Sequence, residues 1–124
     1  MINRRQTPFR YVFKEPIAFE LRLLSIDGVQ TLSKPVKAIL YNISKSGCCV
    51  WLPLLLPIEE RQIEVSLGLV LNEEPLTLVG ELRWSLPDDE GNRYGIKLNI
   101  PEEDHDILPR ELRELAGHGR IIAV

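Results

Sequence analysis

The sequence predicts an all-β domain: a six-stranded antiparallel β-barrel followed by a C-terminal helical segment. Apolar residues alternate with polar ones at a period of two over most of the chain, and short turns rich in glycine, proline and acidic residues separate the runs. A helical pattern begins only after residue 100. With 124 residues, the chain is long enough for one domain with its own core and too short for two.

Six short runs have the pattern of strands. Ile17, Phe19 and Leu21, for example, alternate with less apolar neighbours. Gly80 lies inside the fifth run and predicts a bend or bulge there. Because no helical pattern separates the runs, we expect the strands to pair antiparallel and close into a barrel. Their approximate limits are residues 17–23, 36–43, 48–52, 63–69, 76–84 and 94–100.

The C-terminal segment is predicted to be helical in two parts. Pro101 opens the first part, and three carboxylates follow where the helix dipole favours them. Pro109 is expected to interrupt the helix and to begin a second one over about 109–116, which ends before Gly117. The apolar face of this second helix, which we expect to pack on the barrel, consists of Leu112, Leu115 and Ala116.

Charge is distributed unevenly along the chain. There are 18 acidic and 15 basic residues, a net charge of −3, which argues against a protein that grips long nucleic acid over its whole surface. Four basic residues nevertheless fall within the first fifteen positions, where a small anionic ligand could bind. The alternative is a solvated leader without a specific role, which is common for terminal segments.

Neither a secretion signal nor a membrane segment is indicated. The basic N-terminus is not followed by an apolar stretch of signal-peptide type. The longest apolar run, residues 52–58, is short and contains two prolines. We therefore expect a cytoplasmic protein that does not insert into a membrane.

The reactive side chains predict neither a metal site nor an enzyme. Cys48 and Cys49 are adjacent, so in a strand they point to opposite faces, and we expect both to be buried and reduced. His105 and His118 are the only histidines, and neither has the spacing of a metal ligand relative to the cysteines. No nucleophile is paired with a base in a recognisable order, so no catalytic residue or cofactor is predicted.

Polar chemistry is concentrated at residues 42–47, which read NISKSG and lie between two apolar runs. Asn42 offers an acceptor and a donor, Ser44 offers a hydroxyl, and Gly47 allows close approach or a positive φ. These groups suit a base edge or a phosphate oxygen. The alternative is ordinary turn chemistry with no ligand, and these six residues taken alone favour it.

Three stretches together resemble the PilZ domain, the bacterial module that binds cyclic di-GMP. Residues 42–47 match the family motif Asp/Asn-x-Ser-x-x-Gly, while residues 80–84 (GELRW) and 94–98 (YGIKL) resemble its late strands. The order and spacing agree over most of the chain. The resemblance implies a six-stranded antiparallel barrel with C-terminal helical material, as the alternation also predicts, and it implies second-messenger signalling through nucleotide binding.

The family's second ligand motif, Arg-x-x-x-Arg, precedes the first barrel strand and is altered here. Arg5 and Arg10 are separated by four residues, and Gln6 stands where the first arginine is expected. The resemblance implies a basic ligand-binding and switch segment over residues 1–15 and a barrel with its helix over 16–124. The ligand-binding residues it implies are Arg4, Arg5, Arg10, Asn42, Ser44 and Gly47.

The leading hypothesis is a cyclic di-GMP receptor in which ligand binding orders the N-terminal segment and changes the surface seen by an unidentified protein partner. The altered arginine spacing supports an alternative, a PilZ-like interaction domain that no longer binds the nucleotide. A third class, a small β-barrel enzyme or unrelated ligand carrier, has no candidate site. The sequence is compatible with a monomer or a dimer.

Overall fold

A computed structural model describes residues 10–31 and 33–124. The strands found there are β1 (Tyr11–Ile26), β2 (Val29–Gln30), β3 (Val36–Ile43), β4 (Gly47–Leu52), β5 (Ile63–Val70), β6 (Pro75–Asp88), β7 (Gly91–Leu98) and β8 (Ile121–Ala123). A 3₁₀ turn (Glu102–Asp104) and the helix α1 (Ile107–Gly117) lie between β7 and β8.

Six of these strands form a closed antiparallel barrel. The order around it is β1-β3-β4-β7-β6-β5, and β5 pairs in turn with β1. The short strands β2 and β8 each pair with β1 outside this ring. The predicted six-stranded antiparallel barrel with a C-terminal helix is therefore confirmed.

The first strand is longer than the alternation predicts. β1 has 16 residues and pairs with β3 and β5, as well as with β2 and β8. Its register against β3 shifts between Val12 and Ile17, a stretch that includes Pro16, which cannot donate to the ladder. Because β1 begins at Tyr11, the predicted N-terminal segment overlaps it, and residues 1–9 lie outside the described residues. The division at residue 15 stays a prediction.

The period of two divides each strand between a core face and an outer face. On β4, Cys48, Val50 and Leu52 are buried in the core, so Cys49 faces outward from the barrel wall. The core residues of β7 are likewise Tyr94, Ile96 and Leu98. Burying one large apolar side chain stabilises the fold by about 1.5–3 kcal/mol, so the inward set fixes which residues face out.

The predicted interruption at Pro109 is wrong. Pro109 lies at the third position of α1, in the first turn, where a helix leaves its N–H groups without partners inside the helix. The break comes earlier, between the 3₁₀ turn and α1. The buried face of α1 consists of Leu108, Leu112 and Leu115, whereas Ala116 is exposed. No helix in the described part of the chain is long and apolar enough to cross a membrane.

Gly80 does not mark a bulge. The register shift between β6 and β7 falls between Leu82 and Trp84. A Cβ at Gly80 would lie 2.5 Å from Ile96 Cγ2 and 2.7 Å from the Lys97 carbonyl oxygen. The glycine is therefore needed for the close approach of β6 to β7.

Candidate functional site

The candidate site begins at the turn between β3 and β4, which residues 44–46 form. Ser44 is only 5% exposed. Its hydroxyl accepts hydrogen bonds from the N–H groups of Ser46 (3.3 Å) and Gly47 (3.1 Å) and donates to the Gly47 carbonyl (3.3 Å). One donor and two acceptor positions are all that a hydroxyl has, so the turn uses all of them. Ser44 holds the turn in shape, and its direct contact with a ligand stays a prediction.

Gly47 has a packing role in this turn. The φ angle of Gly47 is not positive. Among the described glycines, Gly28 and Gly119 have a positive φ. A Cβ at Gly47 would lie 3.0 Å from the Ile96 carbonyl oxygen, which is tighter than ordinary contact. Glycine therefore allows β4 to begin close against β7, where Gly47 pairs with Lys97.

Asn42 stands in a row of residues that crosses the outer face of the barrel. It pairs with Val12 on one side and with Cys49 on the other. Cys49 pairs with Gly95, and Gly95 pairs with Trp84. We call this set the outer row: Val12, Asn42, Cys49, Gly95 and Trp84.

The side-chain oxygen of Asn42 has no hydrogen-bond partner. Oδ1 is buried, and among the described residues it is the one buried side-chain nitrogen or oxygen atom left in this condition. Leaving such a group without a partner costs about 1–3 kcal/mol, so an unmet acceptor in a native site calls for an explanation. A ligand that donates a hydrogen bond here supplies one.

The far end of the outer row carries an aromatic platform. The Trp84 indole occupies the space above Gly95, where a Cβ would overlap Trp84 Nε1 and Cε2. Trp84 is 39% exposed, so part of the ring is open to solvent. Cys49 lies between Gly95 and Asn42 in the row and is only 3% exposed, so it forms the floor of the outer row. Gly95 and Cys49 are both buried at the centre of the row, so the open part of the indole is the accessible surface at this end.

Two arginines bring positive charge to the outer row. Burial raises the pKa of the Cys49 thiol, while the charges of Arg93 and Arg10 act in the opposite direction, so both guanidinium groups lie within electrostatic reach of Cys49. Arg10 is exposed and precedes β1. Its backbone is anchored, because its carbonyl accepts a hydrogen bond from Val124 N–H at 2.9 Å.

Arg93 is held in place from two directions. Its Nε and Nη2 atoms lie 3.2 and 2.9 Å from Asp88 Oδ2. Its Cζ atom lies 4.3 Å from the centroid of the Tyr41 ring, a cation–π arrangement. The hydrogen bond with Asp88 raises the pKa of Arg93, so the charge beside Cys49 is permanent.

The structure brings together only part of the predicted site. The start of β1 lies beside the end of β3 and the turn into β4, and this region contains Arg10, Asn42, Ser44 and Gly47. Arg4 and Arg5 lie outside the described residues. Sequence reasoning missed three members, Cys49, Trp84 and Arg93. The sequence signal that could have indicated the aromatic platform is a tryptophan, Trp84, in one strand and a glycine, Gly95, in the next, because the ring lies over that glycine.

Comparison with known proteins identifies the family of the chain and a structure with a similar fold. The family model of the PilZ domain matches residues 3–114, so the chain belongs to the PilZ domain family. Among solved structures, the chain is similar to the inhibitor of motility MotI/DgrA of Bacillus subtilis, with a TM-score of 0.60 and 18% sequence identity. The match covers 94% of this chain and 53% of that one, so the chain spans about half of its length. A search of curated proteins found no match.

Family membership gives the site its class. PilZ domains are non-catalytic binding modules related to cyclic di-GMP, and the likeness to MotI/DgrA extends to the fold. Among the described residues, no group of three or more histidine, cysteine or acidic side chains could hold a metal ion. The outer row combines a hydrogen-bonding amide at Asn42 with an aromatic ring at Trp84, and the guanidinium groups of Arg10 and Arg93 lie nearby.

The hydrogen bonds of Ser44 generate a prediction about stability. Ser44→Ala removes the acceptor for two turn N–H groups, so we expect unfolding in urea to require about 1–3 kcal/mol less free energy. Ser46→Ala in the same turn is the matched control, because Ser46 is exposed and no hydrogen bond of its hydroxyl to a described residue is found. Equal stability of the two variants would contradict the structural role of Ser44.

Proposed function

We propose that this protein is a receptor for cyclic di-GMP that binds the nucleotide on the outer row, between Arg10 and the turn that follows Asn42. The observation that carries the proposal is the buried, unpartnered Oδ1 of Asn42. It lies at the first position of the family motif and within reach of neither backbone nor side-chain donors of the described residues. Membership of the PilZ family supports the choice of ligand.

The chemistry of the row matches that of the ligand. Cyclic di-GMP carries two guanine bases and two phosphates. A guanine amine donates hydrogen bonds, which suits the acceptor of Asn42, while guanine O6 and N7 accept the two-pronged donation of an arginine such as Arg10. Phosphate oxygens accept charge-assisted hydrogen bonds from the same side chain. A bidentate arginine contact contributes about 1–3 kcal/mol of discrimination.

Stacking supplies the second part of the recognition. Trp84 is partly open to solvent and lies across Gly95 from the small floor residue Cys49. A base that stacks on such an aromatic ring gains about 1–3 kcal/mol. Arg93, paired with Asp88, adds a guanidinium group near Cys49. These groups would give a dianionic, two-base ligand contacts along the whole row.

Signalling in this proposal proceeds through the N-terminal segment. Arg10 is the first described residue, and its backbone carbonyl is hydrogen-bonded to the N–H of Val124, which follows β8. Arg4 and Arg5 precede this anchor, so a nucleotide held by Asn42 can recruit them and order the segment against the barrel. The surface offered to a protein partner then differs between the free and the bound states.

Calorimetric titration with cyclic di-GMP, with GTP as the control ligand, tests the proposal. We expect saturable heat with cyclic di-GMP alone. Arg10→Ala should weaken binding about tenfold or more, since losing one bidentate contact costs about 1–3 kcal/mol and about 1.4 kcal/mol is tenfold. Arg83→Ala is the matched control, because Arg83 is exposed and its one ion pair within residues 10–31 and 33–124 is with Glu81, at 3.5 Å.

Two results would count against the receptor. Equal binding by the two arginine variants would remove Arg10 from the site. Complete absence of heat at high ligand concentration would favour the alternative, a PilZ-like interaction domain without nucleotide binding, to which the spacing of Arg5 and Arg10 points.

Asn42→Leu separates ligand binding from structure. The substitution replaces an unpartnered buried acceptor by an apolar group of similar size, so we expect the free energy of unfolding to stay unchanged or to rise. The affinity for cyclic di-GMP should fall about tenfold or more. Urea denaturation and calorimetry of the same preparation measure both quantities. A destabilised variant that still binds normally would show that Asn42 serves the fold.

A further inference from the structure

A second site lies on the outer face of the barrel, in a shallow recess that the nucleotide proposal does not use. Its volume is about 470 Å³. We call it the aromatic recess, and its lining residues are Ile39, Tyr41, Trp51, Asp89 and Glu90. We propose that the aromatic recess receives an arginine side chain of a protein partner.

The aromatic walls of the recess are fixed before any partner arrives. Trp51 donates from Nε1 to the Asp88 carbonyl at 3.0 Å, and its ring lies over Gly91, where a Cβ would be 2.6 Å from Cζ2. Tyr41 is packed against the guanidinium of Arg93, which Asp88 holds at 2.9 Å. Side chains that are already ordered lose little conformational entropy on binding.

The charge of the recess selects a cation. Asp89 and Glu90 form the two-residue turn between β6 and β7, and Asp89 has a φ of 51°. Both are exposed, and neither has an ion-pair partner in the described part of the chain. No lysine, arginine or histidine lines the recess. Because the Arg93 guanidinium already lies 4.3 Å from the Tyr41 ring centroid, the groups that attract a further cation are the Trp51 ring and the two free carboxylates, and the carboxylates repel an anionic nucleotide.

An arginine side chain fits this chemistry better than a lysine ammonium group, an apolar side chain or a small free cation. Its planar guanidinium can stack on a ring and donate to a carboxylate at once, which an ammonium group does less well. An apolar side chain would remove water from Asp89 and Glu90 without replacing those hydrogen bonds. Because the recess is open and wide rather than enclosed, a partner protein that presents the side chain is a better match than a small free cation.

The position of the recess connects it to the outer row. Trp51 pairs with Arg93 across β4 and β7, two residues along from the pair formed by Cys49 and Gly95. Arg93 thus contacts Tyr41 at the recess and acts electrostatically on Cys49 in the outer row. The two sites are neighbours on one face, yet the aromatic recess requires no nucleotide.

A titration followed by ¹H–¹⁵N NMR tests the proposal without any nucleotide, so its outcome is independent of the receptor proposal. The probe is the peptide acetyl-Gly-Arg-Gly-amide, and its citrulline counterpart is the neutral control of the same shape. We expect saturable shifts of the Trp51 indole N–H and the Gly91 amide with the arginine peptide, and about fivefold weaker binding of the citrulline peptide.

The double variant Asp89→Asn, Glu90→Gln should reduce affinity for the arginine peptide about threefold or more, because exposed ion pairs are weak individually. The matched control is Glu73→Gln, Glu74→Gln, which removes two exposed carboxylates from the β5–β6 connection and should leave binding unchanged. Equal binding of the two peptides, or absence of shifts, would overturn the proposal. Trp51 shifts that depend on protein concentration without peptide would assign the recess to a second copy and overturn it too.

Discussion

The pairing of one long strand with both ends of the sheet is the constraint on which the rest of this structure depends. β1 pairs with β3 along one edge and with β5 along the other, and this closes the barrel. The same strand sets Val12 opposite Asn42, so the chain that precedes β1 arrives beside the motif turn. One strand thus takes part both in closing the barrel and in placing Asn42.

Closure also divides the residues strictly between two faces. Side chains alternate along a strand, and a slip of one residue would exchange the inner and the outer set. Because Val50 and Tyr94 are completely buried, their neighbours Cys49 and Gly95 must lie on the outer face. The hydrophobic core thus determines where the outer row lies, although no core residue belongs to it.

Local patterns predicted much of the fold and part of the candidate site. Alternation at a period of two revealed the six barrel strands, and the motif 42–47 indicated the turn that follows Asn42. The full length of β1 was missed because Pro16 and its charged neighbours interrupt the alternation. The start of the helix was predicted two residues too late. Proline is tolerated in the first turn of a helix, so Pro109 is compatible with a helix that begins at Ile107.

The rest of the site could not be predicted locally. Trp84 and Asn42 are 42 positions apart and are aligned in one row only through β4 and β7, so their alignment is a product of strand order. Arg93 joins them because Asp88, across a two-residue turn, holds it. Ser44 shows the reverse case, since the hydroxyl that matches a ligand motif is used here by its own turn. Residue type predicted which chemistry is present, and tertiary pairing decided where it acts.

Amide and indole signals mapped by ¹H–¹⁵N NMR at saturating cyclic di-GMP show whether the nucleotide lies on the outer row. We expect the largest shifts at the Asn42 side-chain amide, the Cys49 and Gly95 backbone amides and the Trp84 indole N–H. An outer row that stays unchanged while signals elsewhere on the barrel move would contradict this placement of the nucleotide.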